Sequence, residues 1–151
     1  MDYFLKLLDN LLIEINDSIN EKIISINYLE TIKFSLIEKL SELEENILED
    51  FKSELSVNKL FSKELDLNTR SINYSINFIG NSTSNIKQII QKNTLYIVLD
   101  GAKIISVFDK NKKNISVKIN MTKNKGIVLS QNTIINENIN KKSIILTIIY
   151  N

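Results

Sequence analysis

The sequence predicts an α+β protein in two segregated parts, amphipathic N-terminal helices followed by an antiparallel all-β barrel or sandwich. Three observations carry this. From Tyr3 to Leu55 apolar residues recur at helical spacing; Ser71 to Phe78 alternates polar and apolar without error; and two runs rich in β-branched and aromatic residues, Thr94 to Leu99 and Ala102 to Phe108, meet at Asp100-Gly101.

Leu5, Leu8, Leu12, Ile15, Ile19, Ile23 and Ile26 form one apolar stripe, with Lys6, Asp9, Glu14, Asp17 and Glu21 between them. Leu29, Ile32, Leu36, Leu40, Leu43, Ile47, Phe51 and Leu55 form a second, widened by Ile37 and Leu48. Asn27 and Glu30 have the spacing of a helix N-cap with its reciprocal acid. Two helices are therefore expected, about Asp2 to Ser25 and Tyr28 to Leu55, against the alternative of one rod of roughly 80 Å. Neither Gly nor Pro decides between them. Such helices need a surface to bury, and residues 1–67 are expected to form an oligomerisation or docking arm that packs on other subunits or on a larger partner. Folding back on the chain's own strands is the alternative.

Residues 56–68 read as a linker with a short helical turn near Leu60 and Phe61, which places the β domain at 68–151. Its strands are expected at 71–78, 86–90, 94–99, 102–108, 115–121, 127–129, 133–135 and 143–150, separated by polar turns. Asp-Gly between two β-rich runs signals a two-residue hairpin with positive φ at the glycine. Gly126, in a turn expected to be looser, should tolerate Ala better than Gly101 tolerates Val.

Composition narrows the chemistry. At 43% hydrophobic and 25% charged the chain is globular. It has neither Cys nor His, so disulfides, thiolate metal sites and imidazole bases or ligands are all excluded. The opening residues lack a basic leader, and Ile144 to Tyr150 is too short to span a bilayer as a helix, so a cytoplasmic product without membrane contact is expected. The net charge of +1 conceals a split. Residues 1–67 carry 15 acids and 7 bases, a net −8, while 68–151 carry 3 acids and 12 bases, a net +9. Such polarity can orient subunits head to tail, although helices favour Glu and strands favour Lys by propensity alone. The Asn-x-Ser/Thr triplets at Asn73, Asn81, Asn114 and Asn120 are those an Asn-rich chain contains by chance. Lys110, Lys112, Lys113, Lys123 and Lys125 lack the interleaved aromatics of a nucleic-acid site and read as a solvated rim that blunts strand edges.

The run from Gly126 to Tyr150, G-I-V-L-S-Q-N-T-I-I-N-E-N-I-N-K-K-S-I-I-L-T-I-I-Y, resembles the closing half of a cupin barrel. Upstream, K-N-T-L-Y-I-V-L-D-G-A-K-I-I-S-V resembles the cupin strand that ends in "V-L-x-G". The likeness covers about Ser71 to Tyr150 and implies a jelly-roll barrel, in flavour nearest the sugar-nucleotide ketoisomerase-like cupins. It also implies where a metal would be held: the two early His positions fall near Gln88 and Ile90, the acid near Thr94 and the late His near Ile135. None of these replaces imidazole. The expectation is a barrel with no catalytic residues, no metal and no cofactor, whose ligand, if it takes one, would meet barrel-facing Gln88, Tyr96 and Asn132. The expected function is a non-catalytic structural or assembly protein, such as a virion (phage) component, working as a homo-oligomer or in a larger protein assembly. The alternative is a cupin that binds or isomerises a carbohydrate or nucleotide sugar.

Overall fold

Three helices cover one face of a pair of stacked β-sheets in the computed structural model of the protein, which describes residues 2–19, 23–55, 60–67, 70–83, 86–112 and 114–150. The helices are α1 (Asp2–Asp17), α2 (Ser25–Ser41) and α3 (Glu45–Glu54). Residues 20–22 of the expected first helix, 56–59 and 68–69 of the expected linker, and Lys113 of the basic cluster lie outside the described residues.

The expected second helix is two. It breaks before Glu44, whose ψ of 139° is extended, with no Gly or Pro to force it. The break lets α3 set Phe51 against Phe4 with ring centroids 4.4 Å apart, and this contact outweighs the local preference to continue the helix. The N-cap expected at Asn27 is not used. Ile24 occupies the cap position without a side-chain bond, and the Asn27 carbonyl accepts a hydrogen bond from the Thr31 hydroxyl inside the helix.

One sheet has the order β1 (Leu60–Asp66), β2 (Ser71–Ile79), β10 (Ser143–Tyr150), β5 (Thr94–Asp100), β8 (Gly126–Leu129). The other runs β3 (Ser82–Thr83), β9 (Ile134–Ile139), β6 (Ala102–Phe108), β7 (Ser116–Thr122), with β4 (Gln88–Ile89) also paired to β9. Every pairing is antiparallel. Two antiparallel sheets around an apolar interior are the arrangement that the cupin resemblance implies, and the α+β class holds.

The helices lie back on the chain's own strands, which is the alternative to the arm expectation. Leu8, Leu12, Tyr28, Leu29, Ile32 and Leu36 share one core with Ile72, Tyr74, Ile76, Leu95, Ile97, Leu146 and Ile148 of the first sheet. A stripe of this width states that a face is buried, not against what, and here the nearest large apolar surface belongs to the same chain. The opposite face of that sheet meets the second sheet across an inner core of Ile90, Val98, Ile105, Met121, Leu129, Ile135, Ile139 and Ile145. β5 and β10 lie between the two cores, which explains their near-continuous apolar sequence. Among the described residues no helix is long and apolar enough to cross a membrane.

Two further expectations change. The stretch read as linker contains β1, an edge strand whose polar composition hides it, and the division expected after Leu67 falls between two paired strands. Asp100-Gly101 is also no hairpin. β5 pairs with β10 and β8 whereas β6 pairs with β7 and β9, so the chain crosses from one sheet to the other at Gly101. The glycine does have the expected positive φ, at +87°, used for a corner that switches sheets. Gly126 is not in open space, since a Cβ there would lie 2.7 Å from the Tyr96 carbonyl oxygen.

Candidate functional site

Strand alternation decides which side chains enter the barrel. On β6 the inward positions are Lys103, Ile105 and Val107, on β9 they are Ile135, Glu137 and Ile139, and on β5 they include Tyr96 and Val98. Ile105 stands opposite Glu137 in the register, which makes Lys103 and Glu137 diagonal neighbours within side-chain reach. Two charges thus sit on an otherwise apolar wall.

Lys103 is 3% exposed. Its Nζ lies 3.9 Å from the centroid of the Tyr96 ring and 3.4 Å from Oε1 of Glu137. That oxygen is buried and makes no well-aligned hydrogen bond among the described residues, so the contact is an ion pair rather than a formed hydrogen bond. Burial holds the Lys103 ammonium below the ordinary lysine range, and the Glu137 charge opposes that shift. Burial first, then the neighbouring Glu137 carboxylate, push the Tyr96 phenol well above the usual tyrosine range.

A buried amine with a lowered pKa is the raw material of base and Schiff-base chemistry. Such chemistry needs room for a reacting atom about 3 Å from the nitrogen. Here the amine is already engaged by the ring face and the carboxylate, and the interior that it shares is filled by Val98, Ile105, Ile139 and Ile145. The arrangement is a charge pair neutralised inside a packed barrel.

The three residues expected to meet a ligand are not gathered. Tyr96 faces inward, Gln88 is exposed on the short edge strand β4, and Asn132 is exposed in the turn before β9 with φ of +71°. The backbone around Asn132 is fixed instead, its N–H donating to the Ile90 carbonyl at 2.7 Å. Of the positions that a cupin would give to metal ligands, Ile90 and Ile135 belong to the inner core, Thr94 is buried and Gln88 faces solvent. Among the described residues no group of three or more carboxylates could hold a metal ion. The sequence reading missed Lys103 and Glu137. The available signal was a charge at the inward parity, Lys103 in step with Ile105 and Val107, and Glu137 in step with Ile135 and Ile139.

No protein-family model matches the chain, and no curated protein does. Among solved structures it is similar to a cupin superfamily protein from Desulfitobacterium hafniense at 19% identity, over 64% of this chain and 82% of that one, with a TM-score of 0.45. The EutQ protein of Clostridium difficile is similar at 14% identity, over 60% of this chain and 67% of that one, with a TM-score of 0.43. An oxalate decarboxylase variant from Bacillus subtilis is similar at 6% identity over 64% of this chain and 26% of that one, with a TM-score of 0.49. Likenesses at these identities and scores assign this chain no activity.

Proposed function

We propose that the chain is a non-catalytic interaction module, with the cupin-like barrel as scaffold and the outer layers carrying contacts to protein subunits in a larger assembly. The observation that supports this reading most is the barrel interior. Its wall is closed by Ile, Val, Leu and Met, and its one buried ammonium is matched by its own carboxylate under the Tyr96 ring. A chain with neither His nor Cys has no imidazole or thiolate to add to this pair.

The double variant Lys103→Met with Glu137→Leu tests the reading. A buried ion pair replaced by apolar residues of similar size is often neutral or stabilising, whereas removal of one partner costs about 3–5 kcal/mol. The double variant is expected to melt at or above the wild-type temperature, and each single variant well below it. Thermal shift against sugars, nucleotide sugars and small carboxylates should give no response in the wild type. A ligand that stabilises the wild type but not the double variant would overturn the reading in favour of a carbohydrate-binding barrel.

A further inference from the structure

The layering converts the charge split of the sequence into a polarity of surfaces. Helices form one outer layer and the second sheet forms the other, with the first sheet between them. On the helical layer Glu38, Glu42, Glu44, Glu45, Glu49 and Asp50 are exposed. On α2 Phe34 is 73% exposed, one turn from Glu30 and from Glu38 along the outward stripe of the helix. Glu30 is paired with Lys33 at 2.9 Å, while no ion pair to Glu38 or Glu42 is present among the described residues. An aromatic side chain standing out of a helix beside unpaired acids has no function within this fold, since the other face of α2 already makes all of its core contacts.

The end of the second sheet carries the complement. At the open end of β6 and β7 a hollow of about 210 Å³ is lined by Val107, Phe108, Asp109, Ile115, Ser116 and Val117. Ile115 and Val117 are 51% and 64% exposed, too apolar for a surface with no partner. Lys110 and Lys112 border it in the turn, Lys118 follows on β7, and the Lys87 ammonium lies 4.4 Å from the centroid of the Phe108 ring. The one acid of the lining, Asp109, accepts from the backbone N–H groups of Asn111 and Lys112 at 2.8 and 3.1 Å, and the lysines outnumber it at the rim.

We infer that a second copy of this chain docks head to tail, its Phe34 entering the Val107–Val117 hollow while Glu38 and Glu42 meet Lys110 and Lys112. An apolar knob bordered by acids fits an apolar hollow bordered by lysines, and one molecule carries both halves, the knob on α2 and the hollow at the end of β6 and β7. Such a contact is heterologous: it leaves a knob and a hollow unused at the two ends, so it propagates into chains or closes into rings. It rests on the reading of the chain as an interaction module, and the two fail differently. A ligand bound in the barrel sinks that reading, whereas a monomeric wild type with an inert barrel sinks only this contact.

Sedimentation velocity on the full chain supplies the test. Wild type should self-associate at low salt and dissociate at about 1 M, where the Debye length is about 3 Å. Phe34→Ser should weaken association at least about tenfold with an unchanged melting temperature, because a central buried aromatic dominates such contacts. Glu38→Lys with Glu42→Lys, and separately Lys110→Glu with Lys112→Glu, should each be monomeric. Mixing these two double variants should restore assembly, since every contact between them again joins opposite charges. A monomeric wild type, indifference to Phe34→Ser, or failure of the mixed variants to assemble would overturn the inference.

Discussion

The hydroxyl of Tyr28 donates a hydrogen bond to Oδ1 of Asn16 at 2.8 Å, joining α2 to α1 inside the helical layer. The same oxygen accepts from Arg70 at 3.3 Å, the Arg70 guanidinium lies 4.4 Å from the centroid of the Tyr28 ring, and the Asn16 amide reaches the Leu67 carbonyl at 3.4 Å. One buried amide thus ties both helices to the connection between β1 and β2.

Asn16→Leu is expected to cost about 2–4 kcal/mol, because it leaves a buried hydroxyl and a buried guanidinium without this acceptor. Tyr28→Phe, which removes only one donor, should cost about 1 kcal/mol. Urea denaturation distinguishes them; equal midpoints for the two variants would mean that Asn16 does not hold the group together.

Burial pushes the Tyr28 phenol up to about 12, with nearby Arg70 pulling it down and Tyr150 adding to the rise. The unfolded chain releases this proton near 10, so the stability gained is complete below that pH and is lost as pH rises through about 12. Absorbance titration of tyrosinate should show that Tyr28→Phe removes a late-titrating group, and the variant should lose less stability than wild type between those two pH values. A Tyr28 that ionises near 10 would refute this.

At Gly101 a Cβ would lie 2.3 Å from Oγ of Ser143 and 2.7 Å from the Lys142 carbonyl oxygen, on a backbone of positive φ. Ser143 cannot withdraw, since its hydroxyl bonds the N–H and the carbonyl of Ala102, both at 3.0 Å. Gly101→Val should therefore cost about 3 kcal/mol or more. Gly126→Ala, expected from the sequence to be mild, should also cost more than about 1 kcal/mol, because its Cβ would meet the Tyr96 carbonyl and, at 3.0 Å, the Ile97 side chain. Thermal midpoints within a degree of wild type for either variant would contradict the packing described.

Leu36→Asp places a charge in the dry seam between helices and sheet and is expected to unfold helices and strands together. A chain of residues 68–151 alone should aggregate, because it lacks β1 and exposes Ile72, Tyr74, Ile76, Leu95, Ile97, Leu146 and Ile148. Circular dichroism of a soluble, folded 68–151 fragment would show instead that the strands form an independent unit.

Much of this fold is legible in the sequence wherever period and burial coincide. Ser71 to Phe78 alternates in the chain and in the structure, and the apolar stripes of the helices name the residues that become buried. What the sequence left open was the identity of partners. The stripe on α2 could have faced another subunit, and the run Asp100-Gly101-Ala102 could have closed a hairpin; both choices depend on distant strands such as β10. β1 was hidden because an edge strand with exposed Ser62, Lys63 and Glu64 has no apolar alternation to show. Within the barrel, the cupin resemblance points to Gln88 and Asn132, whereas the informative residues are Lys103 and Glu137, charges standing at apolar parity.

The central place of β10 bears on how the molecule comes to exist. It pairs with β2 on one side and with β5 on the other, although some 65 residues separate it from β2 and about 40 from β5 in the chain. Until residues 143–150 have been synthesised, β1 with β2 and β5 with β8 are two unjoined ribbons, and the helices made first have no finished surface on which to lie. Folding is thus expected to wait for the last strand, with slow, non-local closure and a nascent chain that needs shelter while its apolar stripes are bare.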